Sequence, residues 1–268
     1  MTPTSHHKPI PAILQTLVAS SRIRVARLRA ETTFEELSQR GRTITHRSFR
    51  RALESTSPAI IAEVKKASPS KGVLSDHLDP VVQVNAYASG GCAAISVVTE
   101  PEHFLGDWRW IEAIRDAVAV PLLRKDFIID PIQVAETAAA GADAILLIAR
   151  ILSPDQLAEL SDASQTLNLD VLYEAHDESD IDRIAQCDPQ LVGVNARDLE
   201  DFTVDTERVK QLRAALPQSA ILIAESGIEQ PEQIAELREA GYHAFLVGEA
   251  LLRSEDPAAL LRQLRGET

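Results

Sequence analysis

Charged and polar residues close several apolar runs in this sequence. "AIIAEVK" ends in Glu63 and Lys65, "PLLRKDF" in Lys125 and Asp126, "DVLYEA" in Glu174, "LVGVNAR" in Asn195 and Arg197, and "AILIAES" in Glu225 and Ser226. In an extended strand, side chains two apart share a face, so Glu63 and Lys65 project together. An ionised group taken from water without a partner costs several kcal/mol or shifts its pKa until it neutralises. Such strand ends must therefore reach water, each other or a ligand. Glu63, Lys65, Lys125, Glu174, Arg197 and Glu225 balance to zero formal charge, so as a cluster they are desolvated more cheaply than singly. Close carboxylates and ammoniums also push their pKa values apart, which is what proton transfer in both directions requires.

Lysine usage sharpens the pattern. Of the 27 basic residues only Lys8, Lys65, Lys66, Lys71, Lys125 and Lys210 are lysines, and four of them fall at or just beyond two strand ends. A lysine ammonium can be tuned to give or take a proton, whereas arginine stays charged. A second pattern suits an anion. "ESGI" and "LVGEAL" place Gly227 and Gly248 after the seventh and eighth apolar runs, where backbone N–H groups can approach phosphate, and "ASPSKG" adds the Ser68 hydroxyl and Lys71.

The elements that must position these groups follow from the apolar pattern. Eight short runs, at 59–65, 93–99, 121–127, 144–149, 170–175, 191–197, 220–226 and 244–250, are too apolar for strands buried on one face only. Amphipathic stretches separate most of them, opening on signals such as "DPIQ", "SPDQ" and "EQPEQ" and closing on Gly in "AAGAD" and "EAGYHA". Strict alternation over eight units predicts an α/β fold, a closed (β/α)8 TIM barrel whose strand C-termini share one mouth. The open doubly wound sheet is the other arrangement weighed, but neither G-x-G-x-x-G after the first strand nor G-x-x-x-x-G-K-[ST] occurs. Residues 1–58 predict three helices, forming a lid or floor on the barrel within one domain spanning 1–268.

Composition narrows the function classes. A net charge of −13, spread along the chain, argues against a generic nucleic-acid surface and requires a local cationic pocket for an anionic ligand. No run reaches the roughly 18 apolar residues of a membrane span, and the N-terminus lacks a signal-peptide pattern. Cys92 and Cys187 have no metal or disulfide spacing and read as reduced thiols of a cytoplasmic protein, on the face opposite the mouth. His6, His7, His46, His77, His103, His176 and His243 form no ligand spacing, so no metal site is expected. Trp108 and Trp110 are expected to pack rather than stack on substrate.

Taken in order, "IIAEVKKASPSKG", "AISVVTEPEHFLGDW", "PLLRKDFIIDPIQV", "GADAILLIARIL", "LYEAHD", "LVGVNARDLEDFTVD", "LIAESGI" and "FLVGEALL" resemble the indole-3-glycerol-phosphate synthase family of tryptophan biosynthesis over nearly the whole chain. The resemblance implies a lyase that closes the ring of 1-(2-carboxyphenylamino)-1-deoxyribulose 5-phosphate without a cofactor, releasing carbon dioxide and water. It also implies roles. Lys125 matches the general acid for ring closure, Glu174 an acid/base residue, and Lys65 with Glu63 a second acid and its partner. The division of steps among these four stays open. Asn195, grouped with the catalytic residues, and Arg197 match groups that orient the substrate carboxylate and sugar hydroxyls. Glu225 and Ser226 match the "ESG" site, Ser68, Gly227 and Gly248 the phosphate cradle, and Phe104, Leu146 and Ile148 the walls around the aromatic ring. Two positions depart from the pattern: Ala196 within "NAR", and Glu249, where a small hydroxyl residue often sits near phosphate.

Two other functions compete with this one. Phosphoribosylanthranilate isomerase chemistry would want a Cys near the end of the first strand and an Asp near the end of the sixth, where this chain has Glu63 and Asn195. A non-catalytic phosphometabolite-binding barrel would keep Gly227 and Gly248 without needing Lys125 and Glu174. With one barrel closing by Thr268, no fused isomerase is expected. The expected partner is a phosphorylated small molecule, with no nucleic acid or membrane, and the protein is expected to be a monomer or weak homodimer.

Overall fold

The computed structural model describes residues 10–75, 77–198 and 201–267. The readings of His6 and His7 lie outside them, as do two residues of the "NARDLEDFTVD" motif. Eight parallel strands form a closed barrel: β1 Ala59–Val64, β2 Ala94–Val98, β3 Leu122–Lys125, β4 Ala144–Ile148, β5 Asp170–Ala175, β6 Leu191–Asn195, β7 Ile221–Glu225 and β8 Ala244–Val247. Each strand pairs with its sequence neighbours, and β8 closes on β1 with Ala59 opposite Ala244. Every predicted strand exists, each one to three residues shorter than its apolar run where the two differ.

Helices preceding the barrel are α1 Ala12–Glu31, α2 Phe34–Gly41 and α3 Phe49–Glu54. Those that follow are α4 Pro80–Ser89, α5 Arg109–Ala117, α6 Pro131–Ala140, α7 Pro154–Thr166, α8 Glu178–Ile184, α9 Thr206–Leu212, α10 Pro231–Glu239, α11 Glu249–Arg253 and α12 Pro257–Leu264. The sequence writes their starts with a repeated device. Asp79, Asp130, Ser153 and Asp256 cap the first-turn N–H groups of α4, α6, α7 and α12, each with proline at the next position. Proline lacks an N–H there and its fixed φ is already helical. At the other end, Gly141 follows α6 with φ +87°, a left-handed turn that a side chain rarely adopts.

The three N-terminal helices serve as both lid and floor. α1 crosses near the mouth, where Ser21 Oγ donates to the Phe127 carbonyl at 2.6 Å and Arg24 forks onto Asp126 at 2.8 and 2.9 Å. α2 runs down α6, with Gly41 so close that a Cβ would stand 2.7 Å from the Ala138 Cβ. α3 closes the opposite end, burying Phe49 and donating the Arg50 N–H to Asp170. The core is the barrel interior and the layer between strands and helices, and among the described residues no helix is long and apolar enough to cross a membrane.

Candidate active site

Strand parity builds the site. The ladder registers set Glu63 beside Ser96, Val98 beside Lys125, Ile148 beside Glu174 and Asn195 beside Glu225. The inward row therefore changes from aliphatic at Ile61, Leu172 and Ile223 to charged one step later. Above it opens a cavity of about 600 Å³. Every residue given a catalytic or substrate-binding role from the sequence lines this cavity.

The carboxylates sit deep and the cations reach among them. Lys65 Nζ donates to Glu63 Oε1 at 2.7 Å. Lys125 Nζ lies 3.7 Å from Glu174 Oε2 and 3.9 Å from Glu225 Oε2. Burial alone would discharge Lys125, but Glu174, Glu63 and Glu225 together outweigh it and hold its pKa above the usual lysine range. Glu63 and Glu174 also resist burial: Lys65 and then Lys125 pull Glu63 down, and Lys125 leads in pulling down Glu174. Glu225 goes the other way. Buried and set against Glu174, its carboxyl stands well above the usual value, so it is the neutral acid of the pair. Two like groups with pKa values driven apart provide a proton donor and a proton acceptor in one cavity.

Two glycines make room for these acids. A Cβ on Gly193, in the middle of β6, would stand 2.0 Å from Glu225 Oε1, and one on Gly248 would stand 2.7 Å from Glu63 Oε1. Gly248, read from sequence as phosphate-facing, has this second duty. Asn195 Oδ1 accepts from Ser226 Oγ at 2.8 Å and from the Arg197 N–H at 3.0 Å, which fixes the amide at the rim. Arg197 in turn donates to the Phe202 carbonyl at 3.1 Å.

At the other end of the cavity, Ser226 and Gly227 take consecutive left-handed conformations, φ +71° and +75°. Such a turn presents backbone N–H groups in a concave arrangement suited to an anion. Ser68 stands in a two-residue hairpin, Ala67–Ser68 with Gly72–Val73, whose Ser68 and Ser70 hydroxyls are 3.3 Å apart. Glu249 at the start of α11 is held by Lys71 and by Arg253, the latter at 3.0 Å. Lys71 thus neutralises Glu249 at this end of the site.

Some contributors went unread in the sequence. His176 is buried with Nε2 3.5 Å from Glu174 Oε1; its position two residues beyond Glu174 is the signal the sequence offers. Phe127 lines the cavity and its ring centroid lies 6.1 Å from that of Phe104. Ile13, Leu14 and Leu17 of α1 add an apolar wall that no local motif announces, because only the tertiary fold brings them there. The expectation that Trp108 packs is corrected: it is 40% exposed at the start of α5, while Trp110 does pack on the core. Trp108 lies on the outward side of the helix start, and Ile111 and Ile114 take the buried face. Among the described residues no group of three His, Cys, Asp or Glu side chains is placed to hold a metal ion.

The sequence matches the family model described as indole-3-glycerol phosphate synthase over residues 14–264. The indole-3-glycerol phosphate synthase of Salinibacter ruber is 44% identical over 259 residues, covering 96% of each chain. That of Ruminiclostridium cellulolyticum is 39% identical over 257 residues, covering 95% of this chain and 99% of its own. Among solved structures, 3-hexulose-6-phosphate synthase from Salmonella typhimurium superposes with a TM-score of 0.63 at 13% identity, covering 78% of this chain and 97% of that one. A variant tryptophan synthase alpha-subunit from Pyrococcus furiosus gives 0.59 at 13% identity, covering 79% and 99%. At such identity these two speak for the barrel fold alone.

Proposed function

The chain belongs to the indole-3-glycerol phosphate synthase family, and from that premise we propose how its mouth residues divide the reaction. The activity is that of a carboxy-lyase: 1-(2-carboxyphenylamino)-1-deoxyribulose 5-phosphate is closed to indole-3-glycerol phosphate with loss of carbon dioxide and water. The aromatic carbon attacks the sugar ketone, the ring carboxylate leaves, and a hydroxyl departs as a proton is removed.

Lys125 is the acid of ring closure. Its charge, held by three carboxylates, is retained until the ketone oxygen becomes an alkoxide, the one species in the sequence basic enough to take that proton readily. Glu174, kept ionised by Lys125, is the base. Lys65 hydrogen-bonded to Glu63 is the acid that assists departure of the hydroxyl. Glu225, protonated, donates to a substrate oxygen. Asn195 and Arg197 orient the substrate carboxylate and sugar hydroxyls, the Arg fork suiting a carboxylate. Ser68, Ser226, Gly227 and Gly248 receive phosphate, with Glu249 and Lys71 beside it. Phe104, Leu146 and Ile148 hold the aromatic ring. α1 contributes to the cavity wall, which favours treating the N-terminal helices and the barrel as one functional domain. The acidic surface favours a monomer or weak homodimer in the cytoplasm that engages neither nucleic acid nor membrane.

The observation that carries the reading is Lys125 Nζ standing between Glu174 and Glu225 in the cavity. The test is indole fluorescence after mixing protein and substrate in buffer containing EDTA. Turnover is expected in the native protein and nearly none in Lys125→Ala, with substrate still bound. Native-like turnover in that variant would remove Lys125 as the acid.

A further inference from the structure

His176 is a buried imidazole that the mechanism above leaves unused. It sits just past the end of β5 between two carboxyl groups, with Nε2 3.5 Å from Glu174 Oε1 of that strand and Nδ1 3.9 Å from Asp180 Oδ2 on α8. Neither ring nitrogen has a hydrogen-bond partner among the described residues, and the side chain is 3% exposed. The charged groups around it come from four elements. Besides Glu174, Asp180 also accepts from the His176 backbone N–H at 3.0 Å. Arg150, in the short helix Ala149–Ile151 after β4, pairs with Asp180 at 3.3 Å and with Asp177. Arg183 of α8 pairs with Asp180 at 3.0 Å, and Lys125 of β3 approaches through Glu174.

Both carboxylates present acceptors only, and a neutral ring has one hydrogen to give. Storage requires that hydrogen on Nδ1, facing Asp180, so that the Nε2 lone pair faces Glu174 when that carboxyl has taken a proton. Burial, helped by Arg150 and opposed by Glu174 and Asp180, lowers the His176 pKa and keeps the ring neutral at rest.

We propose that His176 is a positioning residue acting through Glu174, storing on Nε2 the proton that Glu174 takes from substrate and returning it for the later acid step. The bookkeeping closes without another reagent. Glu174 removes a substrate proton and becomes the carboxylic acid; its O–H bond breaks as the Nε2–H bond forms, leaving carboxylate and imidazolium; the reverse transfer regenerates the acid. The imidazolium then lies between two carboxylates, an arrangement that both ring N–H groups can satisfy. Abstracted protons are thereby held on a ring that is only 3% exposed.

This inference rests on Glu174 being the base, and the test separates the two ideas. His176→Gln can hydrogen-bond but cannot carry the extra proton. It is expected to lower kcat by roughly tenfold or more, in the range of single acid/base contributions, to leave KM within about twofold, and to move the acid limb of the kcat–pH profile. His176→Asn is expected to behave alike, so loss in both with unchanged KM distinguishes proton storage from packing. Glu174→Gln is the reference. Native kcat and pH profile in His176→Gln, beside an inactive Glu174→Gln, overturn the storage role alone; a fully active Glu174→Gln overturns both assignments. If the His176 variants do not fold, ¹⁵N-histidine spectra of the native protein decide: an Nε2 that carries hydrogen in the neutral ring contradicts the proposal.

Discussion

Gly193→Ala tests whether the acids of the mouth depend on space cleared beneath them. The new methyl would stand 2.0 Å from Glu225 Oε1, and ordinary contact begins at 3.4 Å, so the carboxyl must retreat by roughly 1.4 Å. It has little freedom to do so, being 1% exposed beside Glu174 and Lys125. Overpacking of this kind costs about 1–3 kcal/mol, and an ångström of misplacement at reacting groups costs about 10²-fold in rate. The variant should therefore melt several degrees lower and show kcat down by about two orders of magnitude in the indole fluorescence assay. A double-mutant cycle with Glu225→Ala isolates the cause. Once the carboxyl is gone, the methyl has room and Gly193→Ala should add almost nothing to either loss. Gly193→Ala with native kcat and melting temperature, or full additivity in the cycle, would refute the claim that this glycine places Glu225.

Other expectations concern charge. Because Glu225 binds a proton in the fold that the unfolded chain releases above about pH 4.5, its contribution to stability is present below that pH and declines as pH rises. Glu225→Gln cannot ionise, so urea titrations should show its stability relative to the native protein improving with pH from that point, by at most about 1.4 kcal/mol per unit. Lys125 is shifted upward, so the kcat–pH profile should lack a basic limb where an ordinary lysine loses its proton; a limb there that Lys125→Arg abolishes would contradict the assignment. Arg24→Met removes the fork that ties α1 to Asp126, next to Lys125 in sequence, while Arg124 and Thr99 still hold that carboxylate. We expect about 1.5–3 kcal/mol of lost stability from this charge-assisted pair, read by chemical denaturation. Glu249→Ser should lower KM several-fold by removing a carboxylate from the phosphate end, and the effect should shrink at high salt.

What the sequence disclosed followed from local rules. Eight apolar runs, five of them ending in charged or polar groups, are visible because strand periodicity and strand length are short-range properties, and the Asp-Pro starts of α4, α6 and α12 are equally local. Lys125 and Glu174 could be brought together on paper because a barrel sends every strand end to one face. The function of Gly193 could not be seen that way, since it depends on which side chain of the neighbouring strand leans over it. Ile13, Leu14 and Leu17 were hidden for the same reason, being an ordinary helical stripe until the helix is laid across the mouth. His176 is legible in the sequence from its place two residues after Glu174, although it forms no metal-ligand spacing with the other histidines.

The N-terminal helices also impose an order on the making of the protein. Ser21 bonds to Phe127, 106 residues further on, and Arg50 reaches Asp170 and Gln190, 120 and 140 residues away. At a synthesis rate of about 5–20 residues per second, α3 emerges roughly 6–24 s before the strand that receives it. During that interval Phe49 and the apolar stripe of α1 have no surface to cover them. A nascent chain of this kind carries its earliest segment as unburied cargo until the middle strands arrive, which makes the stretch of translation between α3 and the strand at Asp170 the interval in which a holdase chaperone would matter most.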